Sequence, residues 1–455
     1  MCCTSKSKLL IIFSFIFLLA GCGGGSDGGD SDKKTITNET KEYTVTTQSD
    51  NNGSITPPSV TVKHGTTTTF TLEAKSGFEI DKVSGCNGEL SGNSYTTAPV
   101  TSACSVEAEF KAKTKLTSIN FEEDNLKQCV LDTGFQYVGE LTALTCREKN
   151  IKSAVGIEQL TALTVLDLFD NELTSIDVTK NTALTSLELG GNQLTSIDGI
   201  EQLTELKVLL LNKNQLTSID GIEQLTELTS LDLGINQITN IDVSNNTALN
   251  NLFLYENQLT SIDVSKNTAL DDLFLWDNQL TGIDVSNNTA LNRLVLSYNP
   301  LTSIDVSKNT ALNILWLSGN QLTSIDVSNN TALTELYLGF NQLTDIDVSN
   351  NTALVELYLG FNQLTSIDVS NNTALVELDL IKNQLTSIDV SNNTALNKLV
   401  LSHNQLTSID VFNNTALVEL RLVNNQLTSI DLTNNENIEK LLIDLDVICS
   451  GNVCP

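Results

Sequence analysis

The sequence predicts a solenoid of stacked, near-identical coils with a parallel β-sheet on its concave face, preceded by a small, mostly β unit. Three observations carry that prediction. First, an Asn followed two places on by Leu (once Ile), then Thr, a variable residue, Ile and Asp, recurs thirteen times. The Asn stands at 171, 192, 214, 236, 257, 278, 299, 320, 341, 362, 383, 404 and 425, so every step is 21 residues except two of 22. Second, Leu-x-x-Leu-x-Leu precedes each of these Asn residues, and alternation puts its second and third leucines inside and their neighbours outside, as in a short strand. Third, the segment linking one coil to the next is too short for a full helix, so the convex side should hold extended or tight-turn structure.

The N-terminus reads as an export signal. Lys6 and Lys8 precede the apolar run Leu9 to Leu19, which is too short to span a bilayer. The run leads into Leu19-Ala20-Gly21-Cys22, which resembles a bacterial lipobox. The resemblance implies removal of residues 1–21 as a signal peptide and lipid attachment to Cys22. Gly23 stands where Asp would resemble an inner-membrane retention signal. The expected location is therefore the cell envelope, lipid-anchored, at the outer membrane or cell surface. Two or more acyl chains on one residue give stable anchoring.

Residues 22–42, rich in Gly, Ser and Asp, have little to bury and should form a flexible tether. Residues 43–112 alternate in short runs (Tyr43 to Thr47, Ser59 to Val62, Thr69 to Leu72) separated by turn residues such as Asn52-Gly53, Pro57-Pro58 and Ser76-Gly77. Tyr43-Thr44-Val45, Gly53-Ser54-Ile55, His64-Gly65-Thr66, Gly77-Phe78, Val83-Ser84-Gly85-Cys86 and Cys104-Ser105-Val106 resemble the divergent internalin-type B-repeat of bacterial surface proteins. That resemblance implies a β-grasp-like spacer with no chemistry of its own.

Residues 116–140 should cap the solenoid, whose first core layer would otherwise face water. Glu122 to Leu131 reads as a short helix with Leu126 and Val130 on one face. The repeats proper span 141–445, and 446–455 form a C-terminal cap. Six cysteines remain in the exported chain and fall into three local pairs, which predicts disulfides Cys86–Cys104, Cys129–Cys146 and Cys449–Cys454. The last two would pin the two caps.

The Leu-x-x-Leu-x-Leu segments resemble the strand signature of leucine-rich repeats. Their linkers come in two forms, Gly-Ile-Glu-Gln-Leu-Thr at Gly156, Gly199 and Gly221 and, mostly, Asp-Val-Ser-x-Asn-Thr-Ala-Leu, both similar to those of internalin-like proteins. Pairing at about 4.8 Å over about fourteen coils gives a sheet arc of roughly 65 Å. The recurrent Asn suits the turn after each strand, because its amide offers donors and an acceptor to buried backbone groups. The Asp column from Asp177 to Asp431 suits either stacked Ca²⁺ sites or turns capped through backbone N–H groups. The lack of any Gly-Gly-x-Gly-x-Asp favours the turns. Asn245-x-Thr247 and its copies match a glycosylation sequon by accident of the repeat.

Function should lie where the repeats differ. Ten aromatic residues fall in six consecutive coils: Phe253, Tyr255, Phe274, Trp276, Tyr298, Trp316, Tyr337, Phe340, Tyr358 and Phe361. A contiguous exposed aromatic strip marks an interaction site, whereas a ladder of sheet-forming rings would merely pack. Clustering of both tryptophans favours binding on the concave face. Glu335, Glu356 and Glu377 share one column beside the strip, and Asp272 and Asp379 face the same way. An open sheet gives these carboxylates no burial and no orienting third group, and His403 stands isolated, so no enzyme is expected. A net charge of −30 excludes nucleic acid as partner, although the Asp of each repeat supplies much of it. With no Cys-x-x-Cys after the signal peptide and only His64 and His403, neither a metal nor another cofactor is expected. The expectation is a monomeric, lipid-anchored surface protein. Its concave face binds a protein of the host or of the bacterial surface, and resemblance to internalin-like proteins implies adhesion or recognition. A glycan partner and a ligand-free spacer remain as alternatives.

Overall fold

The computed structural model describes residues 41–454. The signal peptide, Cys22 and nearly all of the tether lie outside the described residues. The chain divides into two compact units between Ala112 and Lys113.

The first unit is built from β1 (Glu42–Ser49), β2 (Gly53–Thr56), β3 (Ser59–Lys63), β4 (Thr69–Ala74), β5 (Phe78–Ser84), β6 (Glu89–Ser91), β7 (Ser94–Thr96) and β8 (Cys104–Ala112). They form two four-stranded sheets, ordered β3-β1-β8-β5 and β2-β4-β7-β6. All neighbours run antiparallel except β1 and β8. Period-two alternation buries Val45, Ile55, Phe70, Leu72, Tyr95, Val106, Ala108 and Phe110 in one core. Buried Tyr95 donates its hydroxyl to the Gly85 carbonyl at 2.6 Å. The Cys86–Cys104 disulfide joins the end of β5 to the start of β8. In so small a core a bridge of this kind contributes about 2–4 kcal/mol.

The second unit opens with the helix α1 (Asp124–Asp132), whose Leu126 and Val130 are fully buried against the first coil. Cys129 on this helix is bridged to Cys146, just after the first strand of the solenoid. Fifteen three-residue strands, from Ala143–Thr145 to Lys440–Leu442, then pair in parallel in unbroken order. Register is constant: Leu315 pairs with Leu294 on one side and Leu336 on the other. The central leucine of every strand but the last is buried, and the residues flanking it in most strands are half-exposed. In a typical coil Leu312, Leu315, Leu317, Leu322 and Val327 are all at 0% exposure, so each coil extends one continuous apolar column.

The linkers are tight turns. In the three Gly-Ile-Glu-Gln copies the turn closes as a single 3₁₀ turn, Ile157–Gln159, Ile200–Gln202 and Ile222–Gln224. At the far end Ile448–Ser450 pairs with Ser429–Asp431 in a separate two-stranded sheet, and Cys449 is bridged to Cys454.

Two asparagine ladders run along the stack, the second interrupted by Leu203 and Leu225. In the first, predicted from sequence, Asn320 Nδ2 donates to Leu296 O (3.1 Å) and Leu317 O (2.9 Å), and its Oδ1 accepts from Leu301 N (3.1 Å). One side chain thus ties two adjacent coils and satisfies three backbone groups. The second ladder was not anticipated. Asn309 and its equivalents from Asn181 to Asn435 are fully buried. Asn309 Nδ2 donates to Val285 O and Asn288 O, both at 2.9 Å, while its Oδ1 accepts no hydrogen bond. The signal was present: from Asn181 to Asn414 the residue before each Thr-Ala is Asn, whereas the one before that Asn is either Asn or Lys. The sequon thus overlaps a structural column, since Asn246 is buried and Asn245 exposed.

Candidate functional site

The structure places all ten aromatic residues in coils 250–361, as the spacing requires, but it divides them into two clusters. Val295 stands in the ring column between them and is buried. In the first cluster Phe253 and Phe274 meet at 4.8 Å between ring centroids, and Tyr255 stacks on Trp276 at 5.1 Å with planes 4° apart. Trp316 stacks on Tyr337 in the second, at 4.9 Å and 1°, Tyr337 meets Tyr358 edge-on at 4.5 Å, and Phe340 stacks on Phe361 at 3.9 Å. The rings are neither fully packed nor fully free. They pack as a ladder along the sheet, and they remain half-exposed or, for Tyr298 and Phe340, mostly exposed.

Several of these ring faces are turned toward one another rather than toward solvent. Three of these rings meet a cation from a following coil: Arg293 lies 5.3 Å from the Phe274 centroid and Lys382 4.6 Å from Phe361, each from the next coil, and Lys398, two coils on, lies 5.3 Å from Tyr358. Ring edges and polar tips remain for a ligand.

A diagonal set of hydrogen bonds fixes the second cluster. Trp316 Nε1 donates to Glu335 at 3.2 Å, the Tyr337 hydroxyl to Glu356 and the Tyr358 hydroxyl to Glu377. Each ring is held by the carboxylate of the following coil, which removes rotamer freedom before any ligand arrives. Burial, reinforced by the bond to Glu356, pushes the Tyr337 phenol up, and Tyr358 is raised in the same way by burial and Glu377. Both phenols stay protonated and keep donating. Burial and then the Glu356 charge raise Glu335. Burial also acts to raise Glu377, but the Tyr358 and Lys398 bonds outweigh it and hold the carboxyl below its usual range. The Lys398 ammonium sits 2.9 Å from it.

The other predicted acids differ in setting. Asp272 does not face solvent; it is 4% exposed and ion-paired with Arg293, which shields it. Asp379 is half-buried, and its Oδ1 accepts from Ile381 N at 2.9 Å. Burial raises its pKa. Asp232, beside the first cluster, is raised to about 6 by burial, against a bond from Gly234 N. The recurrent Asp column forms capped turns: Asp177 accepts from Thr179 Oγ1 (2.7 Å) and N (2.9 Å), and these bonds hold it low.

The sequence placed Tyr298, Phe340 and Phe361 at the strand's end; the structure adds their backbone. They adopt left-handed φ of 57°, 56° and 59°. Every coil from Asp170 to Asn424 bends left-handed at this position, and Gly191 and Gly319 occupy it elsewhere. Glycine at 319 also leaves room for a neighbour, since a Cβ there would come within 2.6 Å of the Tyr298 ring. Bulky residues in this region carry a cost of roughly 1–2 kcal/mol each. Between this ridge and Tyr337 and Tyr358 lies a groove of about 180 Å³, floored by Gly339 and Gly360 and ending at Asp379 and Ile381.

A parallel sheet of short strands, one per 21- or 22-residue coil, with ladders of buried Asn, defines a leucine-rich-repeat protein. A family model of leucine-rich repeats matches 182–224, 204–246, 310–351 and 331–372, and one of the divergent InlB B-repeat domain matches 43–114. A model of the LVIVD repeat matches 275–300. Among solved structures, the functional domain of InlJ from Listeria monocytogenes is 34% identical, with a TM-score of 0.69 over 73% of this chain and 75% of that one. The internalin InlF from Listeria monocytogenes is 26% identical, with a TM-score of 0.58 over 73% and 98%. A leucine-rich-repeat protein from Leptospira interrogans is 26% identical, with a TM-score of 0.60 over 69% and 92%. No curated protein sequence matches the chain. The chain belongs to the internalin-like leucine-rich-repeat proteins. The InlJ domain is described as including a cysteine ladder, whereas this chain has no cysteine between Cys146 and Cys449 and stacks asparagine instead.

Proposed function

We propose that this protein is a lipid-anchored envelope receptor or adhesin that binds a protein partner through the solvent face of its repeat sheet. The observation that carries the proposal is the pair of aromatic clusters, one of them locked by Trp316–Glu335, Tyr337–Glu356 and Tyr358–Glu377 bonds. Rigid aromatic anchors ringed by polar groups are what hot spots of protein interfaces are made of. A glycan would be recognised by stacking on open ring faces, and here several of those faces are stacked on one another or covered by Arg293, Lys382 and Lys398. Burial of ring faces thus favours protein over glycan.

The anchor is proposed at Cys22, with the repeats held off the membrane by residues 23–42. Metabolic labelling with palmitate should mark the wild type and fail to mark Cys22→Ala. The recognition proposal is tested by screening the full chain against displayed surface proteins and a glycan array. Trp276→Ala and Trp316→Ala should each weaken the protein signal by at least about 2 kcal/mol, the threshold for a hot spot. Binding that survives both changes, or a signal on the glycan array alone, would remove this reading.

A further inference from the structure

The groove beside the second cluster carries a more specific statement about the partner, resting on the recognition role proposed above. At about 180 Å³ it is smaller than the roughly 300–1,000 Å³ of small-molecule sites, so it suits one side chain of a larger ligand. Tyr337 and Tyr358 line one side and Phe340 and Phe361 the other, with Gly339 and Gly360 between them. Asp379 stands at one end.

One carboxylate at this groove is left open. The neighbouring carboxylates are satisfied: Glu356 by Tyr337, Glu377 by Tyr358 and Lys398, and Glu419 by Arg421 and Lys440. Asp379 receives only the Ile381 N–H on Oδ1, and among the described residues its Oδ2 has no hydrogen-bond donor and no cation within ion-pair distance. The two cations nearest it, Lys398 and Arg421, are committed to Glu377 and Glu419. The groove's outer wall is also strained. Phe340 and Phe361 hold the left-handed backbone that every coil from Asp170 to Asn424 adopts here, and they place aromatic rings where Gly191 and Gly319 avoid the strain.

We propose that this groove receives an Arg or Lys side chain from the protein partner, its aliphatic stem along the four rings and its cationic head on Asp379 Oδ2. Long basic side chains place an apolar stem and a charged tip in this way. An ionised donor to a carboxylate makes one of the stronger hydrogen bonds available. The chain's net charge of −30 steers such a partner toward the surface.

The probe is the pentapeptide acetyl-Ala-Ala-Arg-Ala-Ala-amide, titrated into the full chain and compared with the same peptide carrying neutral citrulline. The Arg peptide should bind at least roughly tenfold more tightly, a gap set by the charged contact. Asp379→Asn, which keeps the Oδ1 acceptor for Ile381 N–H, should abolish that gap, and Phe340→Gly, which suits the left-handed backbone, should weaken both peptides by removing a wall for the stem, with circular dichroism unchanged in each. Trp276→Ala, in the other cluster, should leave it intact. Equal affinity for the two peptides, or an Arg preference that persists in Asp379→Asn, overturns the inference. If protein binding remains sensitive to Trp276→Ala while the Arg preference is absent, the groove assignment alone has failed. Loss of all protein binding as a property of the wild type would instead sink the broader reading.

Discussion

Phe340 offers a test in which glycine should outperform alanine. Its φ of 56° costs a bulky residue about 1–2 kcal/mol, and its stack on Phe361 at 3.9 Å returns about 0.5–1.5 kcal/mol. Phe340→Ala removes the stack and keeps the backbone cost. Phe340→Gly removes both, at an entropic cost of about 0.5–1 kcal/mol in the unfolded chain. The Gly variant should therefore be more stable than the Ala variant by about 0.5–1 kcal/mol. Three residues away Tyr337 lies in the extended strand Glu335–Tyr337, and there the order should reverse, with Ala ahead of Gly by about 0.5–1 kcal/mol. Urea titrations followed by tryptophan fluorescence suit the comparison, because Trp276 and Trp316 both lie in these coils. Midpoints, rather than extrapolated free energies, should be compared, since a long stack of coils need not unfold in one step. Should Ala match or exceed Gly at 340, the ring is not strained there, and its retention needs no functional explanation.

Three further outcomes follow from the same geometry. Asn320→Ala should lower the urea midpoint more than Asn309→Ala, because the first strips partners from three backbone groups and the second from two, each group worth about 1–3 kcal/mol; equal midpoints would refute that count. Asp232, raised to about 6 by burial, favours the fold most when protonated, below the ordinary carboxyl pKa near 4, and that contribution is lost as pH rises through about 6. Asp232→Asn, which keeps the Gly234 N–H acceptor, should thus raise Tm at pH 7.5 and leave it nearly unchanged at pH 3.5; a pH-independent difference would count against the burial argument. Replacing both Cys129 and Cys146 by Ser should free α1 from the first coil and make the chain around 130–150 the earliest site of proteolysis, whereas the same change at Cys449 and Cys454 should leave that region resistant.

The 21-residue period, the Leu-x-x-Leu-x-Leu alternation and the recurrent Asn were sufficient to give the parallel sheet, its register and the first hydrogen-bonded ladder. In a stack each coil meets only copies of itself, so local pattern and tertiary contact carry the same information. The helix at α1 and the three cysteine pairs were legible for a similar reason, since their partners lie close in sequence. The aromatic positions were legible as a list but not as a site. Which ring faces are consumed by stacking, that Asp272 is shielded by Arg293 while Asp379 lacks a side-chain partner, and that Phe340 and Phe361 bend left-handed all depend on neighbours about 20 residues away and on backbone angles that no residue type announces. The scaffold was readable from the residues alone, because repetition makes every coil its neighbour's template. The surface emerged from the folded stack, because a side chain's exposure and charge balance belong to the coils on either side of it and not to the coil that carries it.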